Sequence, residues 1–142
     1  MGDGRDRPVL ERMARPNVRF LGRVPDAEVK RYMARCRAFI FPGEEDFGIA
    51  PLEAQAAGRP VIAYAAGGAL ETVVEGQTGV FFREPTPESL AQAVRSFDPT
   101  ACDPHAIRRH AERFGTERFK DELSRYLAAV VEGSGEHDPS IA

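Results

Sequence analysis

Residues 41–61 read FPGEEDFGIAPLEAQAAGRPV, and this stretch decides the fold. An apolar run ends in Pro42 and Gly43, an acidic turn follows, then a segment rich in Ala and Leu, and finally a Gly and a Pro. That order predicts a strand, a loop, a helix and the start of another strand. Glu45 stands in the turn and Glu53 on the predicted helix, with Phe47, Gly48, Ile49 and Ala50 between them, where the backbone swings from loop into helix. Gly48 lets a ligand approach the main chain closely. A helix N-terminus presents unpaired amides and partial positive charge, which suits a phosphate. Glu53, one turn in, suits hydroxyls instead.

Outward from this stretch, the spacing predicts helices over 6–14 and 27–36, with Asp26 as the cap of the second. Strands are predicted over 17–22, 38–41, 59–65 and 80–82, and a short helical turn over 69–74. Helices at 85–97, 105–113 and from 116 to about 131 complete the pattern. Alternating strands and helices make this an α/β chain with a parallel sheet of about four strands, as in a Rossmann-like fold. One domain over residues 1–132 is expected, with 133–142 a polar tail expected to be disordered. The chain has 142 residues and a formal net charge of −3. With no basic block, that charge gives no reason to propose nucleic acid as a partner.

Two carboxylates can mark a glycoside hydrolase, whose pair stands about 5–5.5 Å apart in retaining enzymes and about 6.5–9.5 Å apart in inverting ones. Eight residues along a helix rise roughly 12 Å, so Glu45 and Glu53 suit the two ends of one elongated ligand better. The side chains of Phe47 and Ile49 read as core residues, and Glu44 and Asp46 as solvated acids. Gly67 and Gly68 read as a close backbone approach after a strand. Cys36 and Cys102 lack metal-ligand or redox spacing, and Cys36 reads as a buried apolar residue. His105 and His110 fall on a polar helix and read as solvent-exposed; His137 is in the tail. No Ser-His-Asp order or metal-ligand cluster is present.

The 41–61 stretch resembles the glutamate, seven residues, glutamate signature of the family-4 retaining glycosyltransferases. Its continuation, RPVIAYAAGGALETVVEGQTGVFF over residues 59–82, is similar to that family in order and spacing. The resemblance implies the C-terminal donor-binding domain of a GT-B fold, with a nucleotide sugar as substrate. It makes Glu45 the catalytic residue beside the donor sugar and Glu53 the ligand of the ribose hydroxyls. The amides of Phe47, Gly48, Ile49 and Ala50 would meet sugar and phosphate oxygens, and the backbone of Val24 would lie near the base. The diphosphate is expected to be bound without a metal or other cofactor. Residues 42–73, with TGVFFREPTPESL and HAERF further on, look most like bacterial mannosyltransferases of polysaccharide or O-antigen assembly that use GDP-mannose.

The family's donor domain has about six strands in the order 3-2-1-4-5-6, and the strands read here match the third to the sixth. The chain is therefore expected to be a fragment of a longer protein, or the product of a coding region started late, without the N-terminal acceptor domain. Exposed sheet edges would then invite self-association. The alternative is a non-catalytic fragment, or a nucleotide-binding and association module of the same fold. A sugar-nucleotide epimerase fits less well, because no acid/base pair is evident across the cleft. A cytoplasmic setting is expected, with peripheral contact at the inner face of the membrane left open.

Overall fold

A computed structural model of the chain describes residues 3–133. In order, the elements are α1 (Arg7–Met13), α2 (Asp26–Arg35), β1 (Phe39–Phe41), α3 (Ile49–Ala56), β2 (Val61–Tyr64), α4 (Ala69–Thr72), β3 (Gly79–Phe82), α5 (Pro87–Ser96), α6 (Pro104–Glu112) and α7 (Thr116–Gly133). The sheet is parallel in the order β1-β2-β3 and is flanked by helices. Phe39 lies opposite Val61, and Val61 opposite Gly79. The architecture is α/β, as the alternating pattern implies. Residues 134–142, including His137 and nearly all of the expected tail, lie outside the described residues, as do Met1 and Gly2.

The sheet has three strands rather than about four. Residues 17–22 form no strand and pair with no ladder. A strand exists through its neighbour's hydrogen bonds. The apolar residues Val18, Phe20 and Leu21 supply the pattern, but none of the three strands lies beside them to complete it.

The core lies between the sheet and α3, where Phe41, Ala54, Val61, Ala63, Ala69 and Val73 form one buried cluster with Phe39 and Phe81 packed against it. Ala54 on α3 lets that helix sit close to the strands. On its far side α3 packs against α6, whose Ile107 and Ala111 are buried. The end of α3 is fixed by two hydrogen bonds, from Gly58 N–H to the Gln55 carbonyl at 2.7 Å and from Arg59 N–H to the Ala54 carbonyl at 2.9 Å. This Schellman closure satisfies carbonyls that a helix end leaves open.

Other helix starts are written in the sequence as caps. Thr86 accepts from Ser89 N–H at 3.2 Å with Pro87 next to it, and Asp103 accepts from the amides of His105 at 2.9 Å and Ala106 at 3.2 Å. Asp26 does not cap α2. It is the first helical residue, Pro25 holds the cap position, and no side chain bonds there. Proline at the cap leaves Asp26 to favour the helix through its charge near the N-terminus. On α7, Phe119, Leu123, Tyr126 and Leu127 are exposed along one face. Among the described residues, no helix is long and apolar enough to cross a membrane.

Candidate functional site

The loop at residues 42–48 leaves the C-terminal end of β1 and runs into α3. Ligand crevices of open parallel sheets lie at this end of the strands. Gly48 makes the turn with φ of +81°, a left-handed conformation, and caps α3 with its backbone alone. The Phe41 ring packs beneath it, about 3.6 Å from where a Cβ would stand. No side chain caps α3, so the amides of Ile49 and Ala50 face outward, while Pro51 contributes none.

The Gly67–Gly68 pair holds this loop from the side. Gly68 N–H donates to the Glu45 carbonyl at 2.7 Å. A Cβ on Gly68 would lie 2.5 Å from both Cα and O of Phe47, and one on Gly67 would lie 2.4 Å from the Glu45 carbonyl oxygen. The close backbone approach expected of these glycines is therefore made to the loop's own main chain.

The loop side chains are open. Glu44, Glu45 and Asp46 are exposed. Phe47 is 46% exposed and Ile49 66% exposed, so neither belongs to the core. The reason is local: Phe41 already fills the space under Gly48, and the turn at Gly48 sends its neighbours outward. Phe47 stands T-shaped to the Phe114 ring, with centroids 6.2 Å apart.

Glu53 points elsewhere. It lines a cleft of about 550 Å³ between α2 and α3, together with Asp26, Val29, Lys30, Met33, Ala56 and Ala57. That volume falls in the range of small-molecule sites. Glu45 is not in the cleft wall; it stands on the loop at the α3 N-terminus. Val24, half-buried, lies two residues before Asp26 and so at the start of the α2 wall. The structure thus keeps Glu45, Phe47, Gly48, Ile49 and Ala50 together at one end of α3 and sets Glu53 one turn on, facing α2.

Sequence reading missed several residues here. Asp26, Lys30 and Met33 share the cleft with Glu53; their i, i+4, i+7 spacing on α2 was the available signal. Gln55 is fully buried, and its Nε2 donates to the Thr72 carbonyl at 2.9 Å while Oε1 has no partner among the described residues. His110 is not solvent-exposed. Its Nε2 lies 3.1 Å from the same Thr72 carbonyl, and since a carbonyl only accepts, that nitrogen carries the proton. Its ring stands edge-on to Phe114 at 5.5 Å. The Thr72 hydroxyl donates in turn to the Gly68 carbonyl at 2.9 Å. A helix that reads as polar all round gives no sign of such contacts.

The cysteines stand apart from this chemistry. Cys36 is half-buried rather than buried, its thiol donates to the Met33 carbonyl, and burial raises its pKa. Cys102 is buried, with its thiol pushed up for the same reason. Among the described residues, no three His, Cys, Asp or Glu side chains are grouped as metal ligands.

Comparison with known proteins bears on the family and the fold. An alpha-1,3/1,6-mannosyltransferase of Dictyostelium discoideum is 43% identical over 75 residues, covering 52% of this chain and 18% of that protein. The sucrose-phosphate synthase of Thermosynechococcus elongatus superposes with a TM-score of 0.74 at 28% identity, over 88% of this chain and 34% of that one. An Anabaena protein solved in complex with UDP-glucose superposes with a TM-score of 0.65 at 25% identity, over 87% of this chain and 35% of that one. The chain thus spans about a third of these solved chains and about a fifth of the curated relative. The family model described as "Glycosyl transferases group 1" matches residues 3–113, and the chain belongs to that family.

Proposed function

We propose that this chain forms donor-binding surface of a retaining glycosyltransferase that uses a nucleotide sugar, with GDP-mannose as the donor and a polysaccharide or lipid-linked acceptor. The observation that carries this reading is the placement of Glu53 in the α2–α3 cleft, one helical turn from the open N-terminus of α3. A nucleotide sugar is elongated, and this arrangement offers a separate contact for each of its parts.

In this reading the base and ribose enter the cleft and the Glu53 carboxylate accepts from the ribose hydroxyls. The diphosphate then lies over the amides of Ile49 and Ala50, and no metal ion is invoked. Glu45 stands beside the sugar. As the sugar–phosphate bond breaks, charge grows on the leaving oxygen, and fixed amide dipoles there favour the transition state over the ground state. Retention implies attack by the acceptor on the face the diphosphate leaves.

Guanine is favoured by the cleft wall. Its edge carries two adjacent donors, N1–H and N2–H₂, which one carboxylate can accept together, and its O6 accepts from an ammonium. Asp26 and Lys30 are one helical turn apart on the wall that Glu53 faces. Uracil offers a single such donor. The mannosyltransferase relative is in keeping with mannose as the sugar; the UDP-glucose complex of the Anabaena protein stands for the competing base.

The test is calorimetric titration of the chain with GDP, UDP and GDP-mannose, with Glu53→Ala as control. Saturable binding that prefers GDP and is lost in the variant is expected. A preference for UDP would overturn the guanine assignment, and no binding by a folded chain would overturn the donor site. A second reading, a binding and association module without catalysis, is favoured by the exposed apolar face of α7. Transfer from donor to acceptor by this chain would exclude it.

A further inference from the structure

We infer that His110 is a positioning residue for the donor loop at residues 45–48, acting through two separate routes that meet at its imidazole. The inference rests on the reading of that loop as the donor site. Its basis is a set of contacts that run from His110, which is not itself placed against substrate, to Glu45 and Phe47 of the loop.

The first route is polar. His110 Nε2 and Gln55 Nε2 both donate to the Thr72 carbonyl, at 3.1 Å and 2.9 Å. Thr72, fully buried, returns its hydroxyl to the Gly68 carbonyl at 2.9 Å, and Gly68 N–H donates to the Glu45 carbonyl at 2.7 Å. Each link ends on a backbone group, so the geometry of α4 is handed directly to the main chain of Glu45. The second route is aromatic. The His110 ring stands edge-on to Phe114 at 5.5 Å, and Phe114 edge-on to Phe47 at 6.2 Å. One route holds the loop at residue 45 and the other at residue 47, on either side of Asp46.

This arrangement answers a specific difficulty of the loop. Its side chains are exposed and Gly48 has none, so the loop cannot be fixed by burying itself. The α3 N-terminus points its amides usefully only if the segment leading into it is held. Gly68 supplies one support and Phe114 the other, and His110, on α6, touches the elements carrying both. A histidine suits the position because it alone combines an N–H donor with an aromatic edge at that size.

Three variants separate the routes. His110→Phe keeps a ring against Phe114 and removes the donor; His110→Gln keeps a donor and removes the ring; Phe114→Leu cuts the aromatic route alone. Amide hydrogen exchange is followed in the chain without ligand, at Gly68, whose N–H donates to the Glu45 carbonyl of the loop, and at Ile62 and Ala63 in the central strand. The expected result is faster exchange at Gly68 in all three variants, by roughly two- to thirtyfold, with the strand amides unchanged. GDP affinity is expected to fall within the same range. Exchange that rises equally at Gly68 and in the strand would show a merely structural role and overturn the inference, as would unchanged exchange at Gly68. If the exchange pattern appears but the parent chain binds neither GDP nor UDP, the coupling stands and the donor-site reading fails.

Discussion

The N–H of Gly68 and the carbonyl of Glu45 are joined at 2.7 Å across the gap between α4 and the acidic loop. Gly68 has an ordinary φ of −61°, so its requirement for glycine is steric rather than conformational. A Cβ there would stand 2.5 Å from Phe47 Cα, closer than non-bonded carbons approach. Gly68→Ala is therefore expected to displace the loop and to cost about 1–3 kcal/mol, as overpacking does. Thermal unfolding measures the cost. Nucleotide titration is expected to show a loss of affinity larger than that of an equally destabilised variant far from the loop.

The cleft wall gives a prediction about base choice. Removing the carboxylate in Asp26→Ala is expected to reduce the preference for GDP over UDP by about tenfold, the scale of one or two charge-assisted hydrogen bonds, with UDP affinity little changed. Competition titrations with the two nucleotides check it. An equal loss for both would mean that Asp26 acts on the phosphate or on folding and not on the base.

Acid sensitivity follows from the caps. The hydrogen bond from His105 N–H holds the Asp103 carboxyl below the usual aspartate value of 3.8, and Thr100 does the same for Asp98. A carboxyl with a depressed folded pKa contributes stability that is complete above its unfolded value and is lost as pH falls through the folded one. The contribution of Asp103, and of Asp98 as cap of the single 3-10 turn Pro99–Ala101, is thus present at neutral pH, begins to fall below about pH 4 and is gone only below the depressed folded values. Asp103→Asn keeps one acceptor oxygen, enough for one of the two amides, and is expected to flatten the acid limb of a Tm-against-pH curve. Asp103→Ala is expected to lower Tm at neutral pH as well.

Gln55 offers a test of buried polarity. Its Oε1 is unpartnered, while the carbonyl its Nε2 serves also receives His110. Gln55→Met removes the orphaned oxygen, keeps the volume and leaves Thr72 with one donor, so a change within about 1 kcal/mol is expected. Gln55→Ala opens a cavity and is expected to cost about 2 kcal/mol or more. Urea unfolding of the two variants distinguishes them.

The order of elements was legible because apolar runs, helical spacing and punctuation by Pro and Gly agree along most of the chain. Residues 39–41 and 61–64 are apolar on both faces, as strands in a covered parallel sheet must be. The segment at 17–22 misled because its pattern is that of a strand while the ladder depends on a neighbour that local pattern does not name. Glu45 and Glu53 were singled out as candidates by their spacing and by the resemblance it carries, and the separate surroundings of the two were not legible. Phe47 and Ile49 read as core because hydrophobicity does not reveal that Phe41 already occupies the space below. His110 and Gln55 were missed for a similar reason: their partner is a backbone carbonyl 38 and 17 residues away, and a carbonyl has no side-chain signature.

Arg59 follows the closure of α3 and sends its guanidinium back to the other helix of the cleft, where Nε lies 2.9 Å from the Ala34 carbonyl and one terminal nitrogen bonds the same oxygen. Ala34 belongs to the last turn of α2, so the C-terminal ends of α2 and α3 are pinned to a single residue. The two helices are joined there like the arms of a tweezer at its rivet. Any widening of the space between them is expected to turn about that joint, so the grip on the proposed nucleotide would be set by a residue that does not line the cleft.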